Sequence, residues 1–367
     1  MMETEVKTKK KRNPLLAFNA VISTLSLCCS LTVLCLFILY LVRPGIFTKP
    51  QGAVEAGTII NTETGAHYTE EELLVAISDA REEGSAEARA ILKNEIKNMY
   101  MNATSIVQEL RLLYPDDIVY YSDGRYRFVP IDASIPAFPY DKANLQADEN
   151  GEIAYYEGDK VTSVKGIDVS KYQGEIDWEK VAESGVEFAI IRAGIRGYGT
   201  GEIVEDATFQ DNLKGATDAG IDVGVYFFSQ AITEEEAIEE ANFILEAISD
   251  YDVTYPIALD VEEVTDKSAR TNGLTATQRT DCAVAFLETI REAGYTPMIY
   301  GNLKSFCDML ELERVQDYQR WFAFYDKELY FPYNIAIWQY SDSGVIDGIE
   351  GTVDLNIMFE PTKWDHP

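Results

Sequence analysis

Histidine is nearly missing from this chain: 367 residues contain two, His67 and His366. Neither falls in an apolar, strand-like run, which argues against a His-ligated zinc centre and against Ser-His-Asp or Cys-His catalysis. Cysteine is scarce where a disulfide framework would need it. Cys28, Cys29 and Cys35 lie in an uncharged N-terminal run, leaving only Cys282 and Cys307 elsewhere. A bond between those two and a pair of buried free thiols both fit the sequence. Basic residues are half as many as acidic ones, 31 against 62, for a net charge of −31. Phosphate-rich partners need a basic surface, so no nucleic acid is expected among the ligands. Apolar residues are not lacking: at 46% they suffice for a core and exclude disorder throughout.

Charge is absent altogether from Leu15 to Val42. Crossing a hydrocarbon core of about 30 Å takes about 20 helical residues, whereas the apolar part of a cleavable leader is about 7–15. Residues 15–42 therefore read as a transmembrane helix that stays in place. Lys7, Lys9, Lys10, Lys11 and Arg12 precede it and mark 1–14 as a cytoplasmic tail. The expected location is the cell membrane, single-pass, with everything after Arg43 outside.

Residues 43–66, rich in glycine, threonine and small side chains, read as a spacer. Residues 67–160 read as a helical stalk with a small β region. Thr69 and Glu72 form a T-x-x-E helix start, apolar residues continue at helical spacing to Leu113, and Tyr114-Pro115 ends the run. Ile118–Tyr121 and Arg125–Val129 flank Asp123-Gly124, a hairpin signal. A folded module that binds a protein partner is the competing reading of this region.

From 164 to 367 strands and helices alternate. Apolar runs fall at Gly166–Val169, Val186–Arg192, Ile221–Phe228, Pro256–Val261, Thr296–Tyr300, Trp321–Tyr325, Ile335–Gln339 and Thr352–Leu355. Several are nearly continuous, as in strands buried on both faces. Helical patterns separate them, the later ones short or absent. The fold class is α/β: an irregular, TIM-like (β/α) barrel preceded by the transmembrane helix and the stalk.

Barrel chemistry belongs at the C-terminal strand ends, and acidic residues gather there: Asp168 in the first strand, Asp260 and Glu262 at the fourth, Asp354 in the last. Side chains alternate along a strand, so Asp260 and Glu262 face one way, about 6.6 Å apart along the chain. Two carboxyls on that scale can flank a glycosidic bond, and crowding holds one protonated as an acid. Solvated strand-end carboxylates and a divalent-metal site are the other readings of the cluster. Tyr226, Tyr300 and Trp338, with Gln339 beside them, offer apolar faces and polar edges for sugar rings; core packing is the alternative for each.

The stretch Gly166-Ile-Asp-Val-Ser-Lys-Tyr-Gln-Gly-Glu-Ile-Asp-Trp178 resembles the opening of glycoside hydrolase family 25, the Chalaropsis-type lysozymes. Val225–Ser229, Ala258–Glu262, Ile337–Tyr340 and Gly351–Asn356 match later blocks of that family in order, so the resemblance runs from about 164 to 359. It implies a peptidoglycan hydrolase cutting the β-1,4 bond between N-acetylmuramic acid and N-acetylglucosamine, without a cofactor or metal. Carried over by position, Glu262 matches the general acid, Asp260 its partner, and Asp168 and Asp354 the other acidic site residues. A substrate-assisted, retaining course is the expectation, with a carboxylate nucleophile and an inverting course as alternatives. The strand often written Tyr-His-Phe in the family reads Tyr226-Phe227-Phe228 here, which puts one site detail in question. A non-catalytic glycan-binding or scaffold module is the alternative function.

Overall fold

The computed structural model describes residues 107–359 throughout, Trp364, His366, and short stretches between residues 59 and 91. The expected tail 1–14 and transmembrane segment 15–42 lie outside the described residues, as does most of the 43–66 spacer. Among the described residues no helix is long and apolar enough to cross a membrane. The chain divides into two compact units, Met1–Pro115 and Asp116–Pro367. In the first, Ile59–Ile60 pairs antiparallel with His67–Tyr68. Of the expected helical run, residues 84–88 and α1 (Val107–Leu113) are described and helical.

The second unit opens with the hairpin of β1 (Asp117–Ser122) and β2 (Arg125–Pro130), turned at Asp123-Gly124 with both residues at positive φ. A small sheet follows, of β3 (Leu145–Ala147), β4 (Ile153–Glu157) and β5 (Lys160–Val161). The compact unit thus begins at Asp116 and takes in these β elements, whereas the sequence pattern groups them with the stalk up to 160. The reason is long-range packing. Ile118 and Tyr120 join the same core as Phe306, Phe331 and Tyr333. Val119 N–H donates to the Tyr330 hydroxyl at 2.7 Å, and Asp132 N–H to the Tyr333 hydroxyl at 2.7 Å.

Eight strands then close a barrel. They are β6 (Val164–Val169), β7 (Phe188–Arg196), β9 (Asp222–Phe228), β10 (Ile257–Asp260), β11 (Pro297–Gly301), β12 (Gln319–Ala323), β13 (Ile337–Gly344) and β14 (Val353–Met358). The first seven of these run parallel in chain order; β14 is antiparallel to both β13 and β6 and completes the ring. A short strand, β8 (Ile203–Glu205), lines the edge of β7. Four helices cover the outside: α2 (Trp178–Glu183), α3 (Phe209–Asp218), α4 (Glu234–Ala247) and α5 (Ala276–Glu292). After β11, among the described residues, only the turns Ser305–Met309 and Leu312–Val315 remain of the helical layer, as the thinning of helical pattern predicts.

Local chemistry explains the helix starts. Thr233 accepts from Glu236 N–H to cap α4, and Thr275 with Gln278 forms a reciprocal capping box on α5. Alternation along each strand builds two cores. Ala189, Ile191 and Ala193 of β7 face the helices, while Phe188 and Ile190 face the lumen. The lower lumen is packed with rings. Phe188 stacks on Tyr255 at 5.2 Å, and Tyr255 meets Trp364 edge-on at 6.2 Å. Gly166 opposes Phe188 in register, and a Cβ there would sit 2.2 Å from the ring. Only glycine leaves room for this plug, so the barrel is solid below and polar above.

Candidate active site

The polar end is the C-terminal end of the parallel strands. In β6, Ile167 and Val169 pack outward, which turns Asp168 into the lumen, where it is 4% exposed. Its Oδ2 accepts from Gln339 Nε2 at 2.7 Å and from Asn356 Nδ2 at 2.8 Å. Both amides are oriented from behind. Gln339 Oε1 accepts from the hydroxyls of Tyr300 (2.7 Å) and Tyr325 (2.8 Å), and Asn356 Oδ1 from Trp321 Nε1 (2.7 Å). Each amide can therefore point only its N–H₂ at Asp168.

Asp354 sits opposite Asp168 in the antiparallel register of β14 and β6. Burial and the charge of Asp354 push Asp168 well above the usual aspartate range, and burial raises Asp354 to about 6. Burial and mutual repulsion keep the two carboxyls from ionising together, so the pair holds a proton between them.

The second pair lies across the mouth. Strand β10 ends at Asp260, and Glu262 stands just beyond it. The alternation persists past the strand end: Val261 packs outward on the helix side, so Asp260 and Glu262 both face inward. Asp260 is 4% exposed, and its Oδ1 is buried with no hydrogen-bond partner. Burial first, then the charges of Glu262 and Asp168, raise its pKa, while Arg192 opposes them. Burial also raises Glu262, against a hydrogen bond from Asn302 Nδ2 to its Oε1 at 3.3 Å. Asn302 is locked in that pose, because its Oδ1 accepts the backbone N–H of Lys304 at 2.9 Å and of Ser305 at 3.2 Å.

Of the aromatic residues expected at the site, Tyr226 and Tyr300 belong to the lumen side, each edge-on to Trp321 at 5.8 and 4.4 Å. Trp338 does not. It is fully buried in the outer core, and its Nε1 donates to the Phe324 carbonyl at 2.9 Å. Its neighbours Ile337 and Gln339 take the inward positions, and alternation forbids three consecutive inward residues. Trp338 is thus core and not a sugar platform. The same alternation turns Phe227, the residue that departs from the family's Tyr-His-Phe, outward against Phe243.

Four residues escaped the sequence reading. Arg192 is held by Asp206 through Nη2 at 2.6 Å and Nε at 2.8 Å, and its positive charge acts on Asp260. Alternation from Ile190 would have found it. Asn302 and Tyr325 follow strand ends, where periodicity gives no facing, and Asn356 shares the inward face of β14 with Asp354. Cys282 and Cys307 are free thiols, the first buried. Among the described residues no group of three or more His, Cys, Asp or Glu side chains is disposed to hold a metal ion. Of the four carboxyls, Asp168 and Glu262 accept side-chain amide N–H groups.

Residues 167–349 match the family model described as glycosyl hydrolases family 25. The chain is 30% identical over 198 residues to the autolytic lysozyme of Clostridium acetobutylicum, covering 54% of this chain and 56% of that protein. This chain thus spans little more than half of that relative's length. It is 30% identical over 207 residues to the uncharacterized protein YegX of Escherichia coli, covering 53% of this chain and 70% of YegX. Among solved structures, the bacterial lysozyme from Streptomyces coelicolor is similar at 26% identity and a TM-score of 0.45, over 53% of this chain and 91% of that one.

Proposed function

Because the chain belongs to glycosyl hydrolases family 25, we propose that it is a muramidase that cuts the β-1,4 bond between N-acetylmuramic acid and N-acetylglucosamine in peptidoglycan. Residues 15–42 tether it to the outer face of a bacterial cytoplasmic membrane, and residues 67–160 serve as a stalk, with a module that binds a protein partner as the alternative. The observation that carries the catalytic reading is the bare Oδ1 of Asp260. A buried carboxylate oxygen without a donor costs stability, and a 2-acetamido N–H is a donor of the right kind.

In this reading Asp260 accepts that N–H and aims the acetamido oxygen at the anomeric carbon. Glu262 gives its proton to the leaving glycosidic oxygen as the C–O bond breaks and the acetamido oxygen bonds to C1. The oxazolinium so formed is stabilised by Asp260. Glu262, now ionised, takes a proton from water as water attacks C1 and reopens the ring, so configuration is retained. Before substrate arrives the pair shares a proton. The arriving N–H and the Arg192 charge favour ionised Asp260, which leaves the proton on Glu262. The Asp168–Asp354 pair keeps the opposite wall at one negative charge.

Incubating the full chain in detergent micelles with peptidoglycan tests this. New N-acetylmuramic reducing ends, appearing first as the β anomer by NMR, are expected. Retention on the glycan without new reducing ends means a binding module; first release of the α anomer defeats the retaining course.

A further inference from the structure

One rim of the mouth is built by residues that precede the barrel. Lys304 lies two residues after the Asn302 that faces Glu262. Its ammonium reaches Glu263 at 2.6 Å and both carboxylate oxygens of Asp123, at the β1–β2 tip, at 2.9 Å. Glu263 directly follows Glu262, so the hairpin tip is pinned at the edge of the cleft. A surface ion pair is worth only about 0–1 kcal/mol; placement comes from Ile118 and Tyr120, buried against the barrel's outer core. Tyr121 directly follows Tyr120 and pairs with Tyr126 across the hairpin, so both rings belong to the tip that Asp123 ties through Lys304 to Glu263.

Tyr121 is 58% exposed and pairs across the hairpin with half-buried Tyr126. The rings meet edge-on at 5.0 Å and 65°. Each carries an apolar ring face and a hydroxyl at its edge, with Tyr121 mostly in water. Across the mouth, Tyr172 is 78% exposed beyond β6, with the Arg192 guanidinium under its ring at 5.0 Å. Strand order sets these two sites on opposite sides: β10 is three strands from β6 around the ring of eight, and β11 is four. A polymer that enters over Tyr172 and crosses the carboxyl pairs leaves over the hairpin tip.

We infer that the Tyr121–Tyr126 pair is a further glycan-binding site, which seats a hexosamine of the same strand beyond the sugars flanking the cut bond. Stacked rings with polar edges are the chemistry that recognises a pyranose. The inference rests on the glycosidase reading, because continuity with that cleft is what selects a glycan as occupant.

The test compares long, un-cross-linked glycan strands with a tetrasaccharide of alternating N-acetylmuramic acid and N-acetylglucosamine, using the full chain in micelles. In the Tyr121→Ala/Tyr126→Ala variant, KM on strands should rise about tenfold, the loss expected when aromatic anchors are truncated. The strand kcat and all tetrasaccharide constants should stay at wild-type values. An unchanged strand KM in the folded variant overturns the inference, and so does an equal loss on both substrates. If the double variant does not fold, Tyr121→Ser carries the test, since its ring is mostly in solvent. A rise of about threefold in strand KM is then expected, and no rise overturns the site. Wild-type chain that cleaves neither substrate defeats the glycosidase reading instead, and with it this one.

Discussion

Asp168 and Asp354 face each other across one antiparallel pairing, whereas Asp260 and Glu262 follow one another off a single strand end. Four carboxyls of the same kind thus meet the fold in opposite ways. Asp168 is gripped by two amides that are themselves gripped by Tyr300, Tyr325 and Trp321. Asp260 is as deeply buried, yet one of its oxygens has no donor. The fold completes the first pair and leaves the second to be completed by a ligand. The difference separates a wall that sets charge from a pair that reacts, although composition and burial make them look alike.

Breaking the reactive pair should have the largest effect. Glu262→Gln keeps size and reach but has no proton to give, so kcat on peptidoglycan should fall by about 10²–10⁴ with the melting temperature preserved. The loss should shrink on an activated aryl glycoside, whose leaving group needs little protonation. A folded Glu262→Gln enzyme with near wild-type turnover on the polymer would remove Glu262 as the acid.

Breaking the gripped pair should instead cost stability. Asp168→Ala strands the Gln339 and Asn356 amides, and a buried donor without an acceptor costs about 1–3 kcal/mol. Urea unfolding reads this directly; a variant as stable as wild type contradicts the description of Asp168 as fully held. A subtler effect sharpens the comparison through pH. Asp354 is raised from 3.8 to about 6, so between those values the native state binds more protons than the unfolded chain. Its contribution to stability is present below the unfolded value, falls as pH rises through the window, and is gone above about 6. Asp354→Asn should flatten that part of the stability profile, and a slope identical to wild type between pH 4 and 6.5 speaks against it. The smallest effect on catalysis is expected at Trp338→Phe, which should leave KM and kcat unchanged and lower stability by about 1–3 kcal/mol through lost packing. A raised KM at full stability would return Trp338 to the site.

The eight barrel strands were readable because both faces of each are buried, which writes an unbroken apolar run into the sequence. The direction of β14 was not, since such a run reads the same whether parallel or antiparallel. Asp168, Asp260, Glu262 and Asp354 stood out as charges interrupting those runs. Trp338 was misplaced by composition: an aromatic beside Gln339 looks like a sugar platform until strand phase excludes it. Tyr114-Pro115 marked where the helical run stops, but not that the β elements after it join the second unit, because that depends on pairings such as Asp132 with Tyr333, 201 residues away.

The central claim is that Asp260 works through the acetamido group of the substrate. Peptidoglycan with its N-acetyl groups removed takes that group away while leaving the bond and the leaving oxygen in place. Initial rates on native and de-N-acetylated glycan, for wild type and Asp260→Asn, form a cycle. The account predicts that wild type loses about 10²-fold or more on the de-N-acetylated polymer, the scale of a lost intramolecular nucleophile and its stabiliser. Asp260→Asn should lose a similar factor on native glycan and nothing further on the de-N-acetylated one. Wild-type cleavage of de-N-acetylated glycan at near the native rate, abolished by Asp260→Asn, would contradict it and make Asp260 act on the sugar ring directly.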